Sequence, residues 1–316
     1  MDDNSDPADS TDDIRLARCQ ERTMETQGIA LWLGRQQWLD MAADALQPLV
    51  RRAFDALGPA RRSVKNVLHG TWLGHPLHPV LTDIPLGAWT ATIVLDAIGN
   101  RRADRSGVAY AADASLALGL AGAVGAAVTG LADWSETDGR PRRIGVAHAG
   151  LNGAATLLCA AALVCRARAN RELGRGLALS GYLAATVAAY LGGELAFHEQ
   201  VGMDHSSGHA LPEEFTRVLA ESDLPAGELK RVHYHDTPLL LVKRNARVCA
   251  LVEKCAHLGG PLAEGSLEGD TVVCPWHSSR FALDSGAVVD GPSAFRQPCL
   301  EIRVRNGQIE VRAQRS

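Results

Sequence analysis

Two cysteines and two histidines are paired in short loops near the C-terminus of this 316-residue chain. The first loop contains Cys255-Ala-His257 and the second Cys274-Pro-Trp-His277, and sixteen residues separate the two motifs. Thiolates and imidazoles bind zinc and iron–sulfur clusters. Short spacers at zinc sites usually join like with like, whereas each of these loops carries one residue of each type. A binuclear iron cluster explains the mixed loops, because each loop gives its cysteine to one iron and its histidine to the other.

The same loops resemble the Rieske [2Fe–2S] domain family. The matching residues are Cys255-Ala-His257-Leu-Gly-Gly and Cys274-Pro-Trp-His277, followed by Phe281 and Gly286. The resemblance covers the C-terminal part of the chain and implies that Cys255 and Cys274 bind one iron. It implies that His257 and His277 bind the other iron, so the expected cofactor is one [2Fe–2S] cluster per chain.

Departures from the family pattern indicate which branch is nearest. Gly260 and Trp276 stand where the Rieske proteins of cytochrome bc complexes carry a disulfide, so that disulfide is absent, as in the ferredoxins and oxygenases of the family. A tyrosine that donates to a ligand sulfur in high-potential members has no match, and Phe281 stands nearby. We therefore expect a reduction potential in the lower part of the Rieske range of about −150 to +300 mV.

The loops are set in a segment with the pattern of a small all-β domain, predicted at residues 215–316. Short β-prone runs alternate with turn residues there, and Asn306-Gly307 predicts a hairpin between two such runs. Residues 201–214 contain Gly, Ser and Pro and are predicted to be a linker.

Four long apolar segments precede this domain and predict an all-α transmembrane bundle at residues 69–200. The segments are Val80 to Ile98, Ala114 to Ala132, Ile144 to Cys165 and Gly176 to Gly193. A spanning helix needs about 20 apolar residues, and only the first segment, interrupted by Asp83 and Pro85, is marginal. The alternative, a soluble Ala-rich bundle, lacks the polar faces that it would need. The fold class is thus multi-domain, with a four-helix transmembrane bundle followed by the all-β domain.

A second resemblance lies at the entry to the first apolar segment. The motif Gly74-His75-Pro-Leu-His78-Pro resembles an uncharacterised bacterial four-helix membrane domain that sometimes precedes a Rieske domain. The resemblance implies a membrane location and says little about activity.

Polar residues gather at one end of the predicted bundle, because short loops make the helices alternate in direction. They are His75, His78, Asp83, Asp133, His148, Asn152, Glu194 and His198. One hypothesis is that His75, His78, His148 and His198 bind a second metal ion or haem, or take part in proton-coupled quinone chemistry. The alternative is that they are interfacial residues that shape the helix entry.

The N-terminal part divides into two predicted segments. Residues 1–27 are acidic and poor in apolar residues, which favours a disordered tail. Residues 28–68 have apolar side chains at helical spacing and predict an amphipathic helix, kinked at Pro48. Such a helix lies either on a membrane surface or against its own domain.

Charge and cysteine content limit the partners and the compartment. The net charge of −4 shows no strongly basic field, so no nucleic-acid partner is expected. The seven cysteines do not form a disulfide framework, which favours a reducing compartment. With no visible signal peptide, we expect a multi-pass protein of the bacterial inner membrane with the β domain in the cytoplasm. Lys and Arg are equally frequent at both bundle ends, so they do not decide the orientation.

The expected function is that of a membrane-anchored one-electron carrier without its own substrate-oxidation site, with the lipid bilayer around it. Its redox partner is expected to be a protein or a quinone. The alternative is an electron-transfer component of a Rieske oxygenase or of a quinol-oxidising system. An oxygenase needs a non-haem iron held by two His and a carboxylate, and no domain of that kind follows in this sequence.

Overall fold

The computed structural model describes residues 28–99, 106–244 and 247–314, so the acidic segment predicted at 1–27 lies outside the described residues. The helices are α1 (Gly28–Gly34), α2 (Trp38–Asp55), α3 (Arg61–His69), α4 (Leu77–Gly99), α5 (Ser106–Trp134), α6 (Gly139–Ala167) and α7 (Arg171–Gly193). A π-helical turn, Glu194–His198, extends α7.

Four of the described helices, α4 to α7, are long and apolar enough to cross a membrane. This confirms the predicted helical region with four apolar helices. The shortest, α4 and α7, have 23 residues each. At about 1.5 Å per residue each is about 35 Å long, against about 30 Å for a hydrocarbon core. Pro85 lies inside α4 and does not end it.

The bundle consists of two similar antiparallel hairpins, α4–α5 and α6–α7. In the first, Nδ1 of His78 donates to the carbonyl oxygen of Ala126 at 2.9 Å. In the second, Nδ1 of His148 donates to the carbonyl oxygen of Ala188 at 2.8 Å. Each histidine near the start of one helix therefore binds the backbone of the next helix.

In each hairpin, the side chain eleven residues after this histidine, Trp89 in the first and Cys159 in the second, packs against a glycine of the next helix. A Cβ on Gly119 would lie 2.2 Å from Nε1 of Trp89, and a Cβ on Gly181 would lie 2.7 Å from Sγ of Cys159. Only glycine leaves room for these side chains, as at other close contacts between membrane helices. The repeated contacts indicate that the two hairpins pack their helices in the same way.

Charged side chains form a network at the end of the bundle opposite to these histidines. The buried Arg166 pairs with Asp96 and, through Nη1, with Oδ1 of Asp113 at 3.0 Å. Arg171 binds the other carboxylate oxygen of Asp113 at 2.9 Å. The network joins α4, α5, α6 and α7, and it satisfies carboxylates that are expensive to bury alone.

The N-terminal segment forms three helices, where the sequence periodicity predicted one. The chain leaves the helix after Gly34, where a Cβ would lie 2.7 Å from Cγ of Arg140. The carbonyl oxygen of Gly34 accepts a hydrogen bond from Nη1 of Arg143 at 2.8 Å. A break here lets α1 and α2 pack on different parts of the bundle.

The C-terminal domain is built from short antiparallel strands. They are β1 (Thr216–Ala220), β2 (Leu229–Tyr234), β3 (Thr237–Arg244), β4 (Arg247–Val252), β5 (Ser266–Glu268), β6 (Thr271–Val273), β7 (Arg280–Ala282), β8 (Val288–Asp290), β9 (Leu300–Arg305) and β10 (Gln308–Ala313). In the described part of the chain they pair as β1-β10-β9, β2-β3-β4 and β5-β6-β7-β8. The predicted Asn306-Gly307 hairpin joins β9 to β10, and both residues have positive φ, 51° and 71°.

Helix α3 connects the two domains. Oδ1 of Asn66 accepts a hydrogen bond from the backbone N–H of Gly291 at 2.8 Å. Nδ2 of the same residue donates to Oδ1 of Asp290 at 3.1 Å. Both functional groups of one side chain are thus used to attach the β domain to the helical domain.

Candidate iron–sulfur site

The first loop of the site lies between β4 and β5 and starts at Cys255. The backbone N–H of Cys255 donates to the carbonyl oxygen of Gly260 at 2.8 Å, and the N–H of Gly259 donates back to the carbonyl of Cys255 at 2.9 Å. Gly259 has a φ of 77°, which glycine adopts without strain. The glycine pair in the motif thus closes the loop behind its cysteine.

The second loop joins β6 to β7 and repeats this geometry. The N–H of Cys274 donates to the carbonyl oxygen of Ser279 at 2.9 Å, and the N–H of Ser278 donates to the carbonyl of Cys274 at 3.1 Å. Ser278 has a φ of 61° and takes the place that Gly259 has in the first loop. The departure from glycine seen in the sequence therefore leaves a serine in the left-handed region.

The two sulfur atoms meet at the centre of the site. The Cys255 and Cys274 side chains are 1% and 3% exposed and are hydrogen-bonded to each other. The bond from Cys255 lowers the pKa of the Cys274 thiol to about 7, although burial acts in the opposite direction. The same bond, with burial, raises the pKa of Cys255.

Backbone amides surround both sulfur atoms. The N–H groups of His257 and Leu258 donate to Cys255, and those of Trp276 and His277 donate to Cys274. Donors of this kind stabilise negative charge on sulfur. These four donors act to lower the pKa of both thiols, the direction that favours thiolate metal ligands.

The two imidazoles form a second pair. The rings of His257 and His277 have centroids 5.0 Å apart and are nearly perpendicular. Burial lowers the pKa of both, which favours the neutral form that binds metals. Nδ1 of His257 is buried and has no hydrogen-bond partner among the described residues. An unsatisfied buried nitrogen of this kind fits a metal ligand.

The four side chains form two pairs, as two irons require. In the described part of the chain, no group of three or more His, Cys, Asp or Glu is placed to hold one metal ion. A tetrahedral zinc site would bring all four ligands to one point. A [2Fe–2S] cluster needs only two protein ligands on each iron, so the observed pairs fit it better.

Gln297, which no sequence motif marks, and Gly260, the last residue of the first motif, shape the first loop. Gln297 is buried, donates through Nε2 to the carbonyls of Val252 (2.7 Å) and Lys254 (2.8 Å), and accepts from the N–H of Ala256 at 3.0 Å. A Cβ on Gly260 would lie 2.8 Å from Sγ of Cys274. The sequence places Gly260 in the motif and at the position of a missing disulfide cysteine but does not predict this close contact, and no sequence pattern identifies Gln297.

The imidazole edge of the site faces the helical domain. His257 and His277 are both half-buried. After burial, the main influences on the pKa values of the two histidines are charges, most of them on other elements. For His257 they are His69, His205 and Lys65. For His277 they are Glu136, Asp138, Arg51 and Lys65. Most of these belong to α2, α3 and the α5–α6 turn, so the helical domain lies close to the two imidazoles.

The histidines proposed for a second centre are only partly brought together. His78 and His148 lie with ring centroids 6.4 Å apart, while the side chains of His75 and His198 are exposed. Nδ1 of His78 and of His148 is bound to a helix carbonyl, and Nε2 of His148 lies 3.1 Å from Nδ2 of Asn152. These contacts hold helices together and supply no group of three ligands within the described residues.

Fold and site together define a small antiparallel β domain with two thiols and two imidazoles set in pairs, the arrangement expected of an iron–sulfur protein. A family model described as the Rieske [2Fe-2S] domain matches residues 214–301, and one described as "Predicted membrane protein (DUF2231)" matches residues 74–205. The chain belongs to the Rieske [2Fe–2S] domain family and carries this domain in a fusion with the DUF2231 domain. The Rieske domain binds a [2Fe–2S] cluster.

Similar proteins include ferredoxins and a longer human protein. The chain is 31% identical over 96 residues to the ferredoxin component of biphenyl 2,3-dioxygenase from Rhodococcus jostii (strain RHA1), covering 30% of this chain and 90% of that protein. It is 29% identical to Ferredoxin CarAc of Metapseudomonas resinovorans over 96 residues, with the same coverage. It is 32% identical to Apoptosis-inducing factor 3 of Homo sapiens over 129 residues, 40% of this chain but only 21% of that protein.

A solved structure also resembles the β domain. It is the complex of reduced oxygenase and oxidized ferredoxin in carbazole 1,9a-dioxygenase, at 27% identity, 32% coverage of this chain, 97% coverage of that chain and a TM-score of 0.31.

Proposed function

We propose that this protein is a membrane-anchored electron carrier whose Rieske domain accepts and passes on single electrons. The observation that carries the proposal is the pair of matching loops, which bring two thiols into contact and set two imidazoles 5.0 Å apart beside them. The similarity to ferredoxins over most of their length supports electron transfer as the role.

The proposed ligands are Cys255 and Cys274 on one iron, and His257 and His277 on the other. When bound, the cluster supplies a one-electron redox couple. The chain holds the thiolates with four backbone N–H groups and keeps the site dry by burial. Phe281 offers no hydroxyl to the sulfurs, so we expect a midpoint potential in the lower part of the Rieske range. A redox titration measures it directly.

We also propose that α4 to α7 cross the bacterial inner membrane and that the Rieske domain faces the cytoplasm. The length and composition of the four helices support the first part. The cysteines that the structure describes are free thiols, which supports a reducing compartment for the second part. In this scheme residues 28–68 precede the membrane domain (69–200), and residues 201–214 link it to the Rieske domain (215–316).

The ligand assignment is tested by substitution in the full-length protein. Parent protein is expected to contain two irons per chain and to show, after dithionite reduction, an EPR signal of a nitrogen-ligated cluster. Cys274→Ser and His257→Ala are expected to lose the colour and most of the iron. Cys249→Ser is the control, because Cys249 is a free, half-buried thiol in the same domain. Retention of parental iron in both ligand variants would refute the assignment.

The electron partner is proposed to be a redox protein or a quinone. The second candidate function, an electron-transfer component of an oxygenase system, is supported by the ferredoxin similarity. Reconstituted protein separates the two: reduction of the cluster by a quinol in the absence of other proteins favours a quinone partner. Substrate-dependent oxygen uptake that appears only when an oxygenase is added favours the second candidate.

A further inference from the structure

The first two helices expose a row of large apolar side chains, called here the N-terminal apolar row. Each member is at least 47% exposed. The members are Ile29, Trp32, Trp38, Met41, Leu46 and Leu49. In α2, Trp38, Met41 and Leu49 are spaced by three and eight residues, so they lie on one side of the helix.

The opposite side of α2 is packed on the bundle. Leu39, Ala43 and Gln47 are buried and follow each other at intervals of four residues. Nε2 of Gln47 donates to the carbonyl oxygens of Thr137 at 2.9 Å and Trp134 at 3.2 Å. Helix α2 therefore lies across the turn between α5 and α6, at the end of the spanning helices.

Helix α1 reaches deeper along the bundle. Ala30 is fully buried in a cluster with Ile144, and Leu151 packs against the same cluster. These α6 residues lie about 7 and 18 Å from the start of that helix at about 1.5 Å per residue. The 29 residues of α6 extend past a hydrocarbon core of about 30 Å by only about 7 Å at each end. Ile29 and Trp32, which point outward at this depth, therefore face lipid.

The acidic side chains of α2 form ion pairs with arginines of α6. Nε of Arg143 binds Oδ1 of Asp40 at 2.8 Å, and Arg142 pairs with Asp44. These ion pairs attach α2 to the first turn of α6. The apolar row is left without a formal charge, and it contains two tryptophans, the residue type enriched at membrane interfaces.

We propose that residues 28–50 form an interfacial anchor, with the N-terminal apolar row inserted at the boundary between lipid headgroups and acyl chains. Lipid is the occupant because the row continues the lipid-facing surface of the bundle at the depth set by α1. This inference rests on the proposal that α4 to α7 cross a bilayer.

The anchor has a consequence for the cluster. Arg51 of α2 donates through Nη2 to the carbonyl oxygen of Ser135 at 2.8 Å and is among the charges that act on His277. The same helix thus contacts lipid on one side and the turn beneath the cluster on the other. Insertion of the row therefore holds the imidazole edge of the Rieske domain at a fixed distance from the membrane surface.

The test uses full-length protein in phosphatidylcholine liposomes with a photoactivated carbene probe confined to the hydrocarbon phase. Label is then mapped by peptide mass spectrometry. The proposal expects label at Trp38, Met41 and Leu49, as well as at Leu118 and Leu157, which face outward on the spanning helices.

Val289 and Val304 are the controls, because they are exposed to a similar extent on the β domain and should stay unlabelled. Label on the spanning helices but not on the row would refute the anchor and leave the spanning bundle intact. Absence of label from both would refute the spanning proposal and the anchor with it.

A second measurement uses the double variant Trp32→Phe and Trp38→Phe in liposomes of brominated phosphatidylcholine, which quenches tryptophans that contact acyl chains. The quenched fraction of the total fluorescence is expected to fall below that of the parent. An unchanged or increased fraction would overturn the proposal, because Trp32 and Trp38 would then contact acyl chains no more than the remaining tryptophans do.

Discussion

Cys255 and Cys274 begin loops with the same backbone shape, each closed by a hydrogen bond to the carbonyl five residues later. The loops differ at the position with positive φ, which is Gly259 in the first and Ser278 in the second. A non-glycine residue in this region is less stable by about 1–2 kcal/mol, so the second loop holds a strain that the first lacks.

Ser278→Gly is therefore expected to stabilise the second loop by about 1 kcal/mol, less the entropy that glycine adds to the unfolded chain. The visible absorbance of the cluster, followed at raised temperature, should bleach more slowly than in the parent. Ser266→Gly in β5 is the control, since glycine within a strand is expected to destabilise by about 0.5–1 kcal/mol. Equal behaviour of the two variants would exclude the strain at position 278.

Gly260→Ala should have the opposite effect. The added Cβ would lie 2.8 Å from Sγ of Cys274 and 3.1 Å from the Trp276 ring, so the two loops must separate. Overpacking of this kind costs about 1–3 kcal/mol. We expect a lower iron content per chain in purified protein. Gly150→Ala, where nothing lies within 4 Å, should keep the parental content.

The residues of the site were not equally visible in the sequence. Cys255, His257, Cys274 and His277 stand out because their spacing is local and their chemistry is rare. Gln297 does not stand out, because its partners are backbone groups 41 to 45 residues away in the sequence. A single polar residue outside a motif gives no sign of such a role. Its role depends on the tertiary fold, which brings β4 and the segment before β9 together.

At the scale of elements, apolar length was enough to predict α4 to α7, since a bilayer-spanning helix needs little else. The break after Gly34 was not predicted, because the apolar periodicity continues through it. What divides α1 from α2 is contact with Arg140 and Arg143 on a distant helix. Tertiary contacts of this type override a local periodic pattern.

The prediction at the scale of elements concerns Arg166 and its charged partners, at the end of the bundle opposite to His78 and His148. Arg166→Ala removes the shared partner of Asp96 and Asp113 and leaves two carboxylates in a largely buried place. Loss of one member of a buried ion pair destabilises by about 3–5 kcal/mol. The thermal unfolding midpoint of the helical domain in detergent should fall clearly. Arg168→Ala, an exposed arginine two residues later, is the control and should leave the midpoint unchanged.

At the scale of the whole molecule, the β domain is attached with its imidazole edge toward the helices. Asn66→Asp keeps the acceptor for Gly291 but replaces the donor to Asp290 by a second carboxylate. A lost hydrogen bond at a partly buried contact costs about 1–3 kcal/mol. We expect faster amide hydrogen exchange in residues 255–260 and 274–279. Val67→Ala, on the exposed side of α3, should exchange like the parent, and equal rates in both variants would contradict this attachment.

Acid should weaken the part of the helical domain around Glu136, which lies next to His277. Burial raises the pKa of Glu136, but the charge and hydrogen bond of Lys65, with His69 and His277, outweigh it, so the pKa is lowered overall. The stabilisation from Glu136 is therefore complete above its unfolded pKa of about 4.3 and is lost as the pH falls through its lower folded pKa.

Thermal stability measured by circular dichroism should accordingly decrease on acidification below about pH 4. Glu136→Gln should be less stable than the parent at pH 7, because Lys65 then loses its ionic partner, and the difference should shrink toward acid pH. Glu213→Gln, an exposed carboxylate in the linker, serves as the control and should follow the parent. A constant difference between Glu136→Gln and parent at all pH values would show that the charge of Glu136 does not hold this part of the helical domain beneath the cluster.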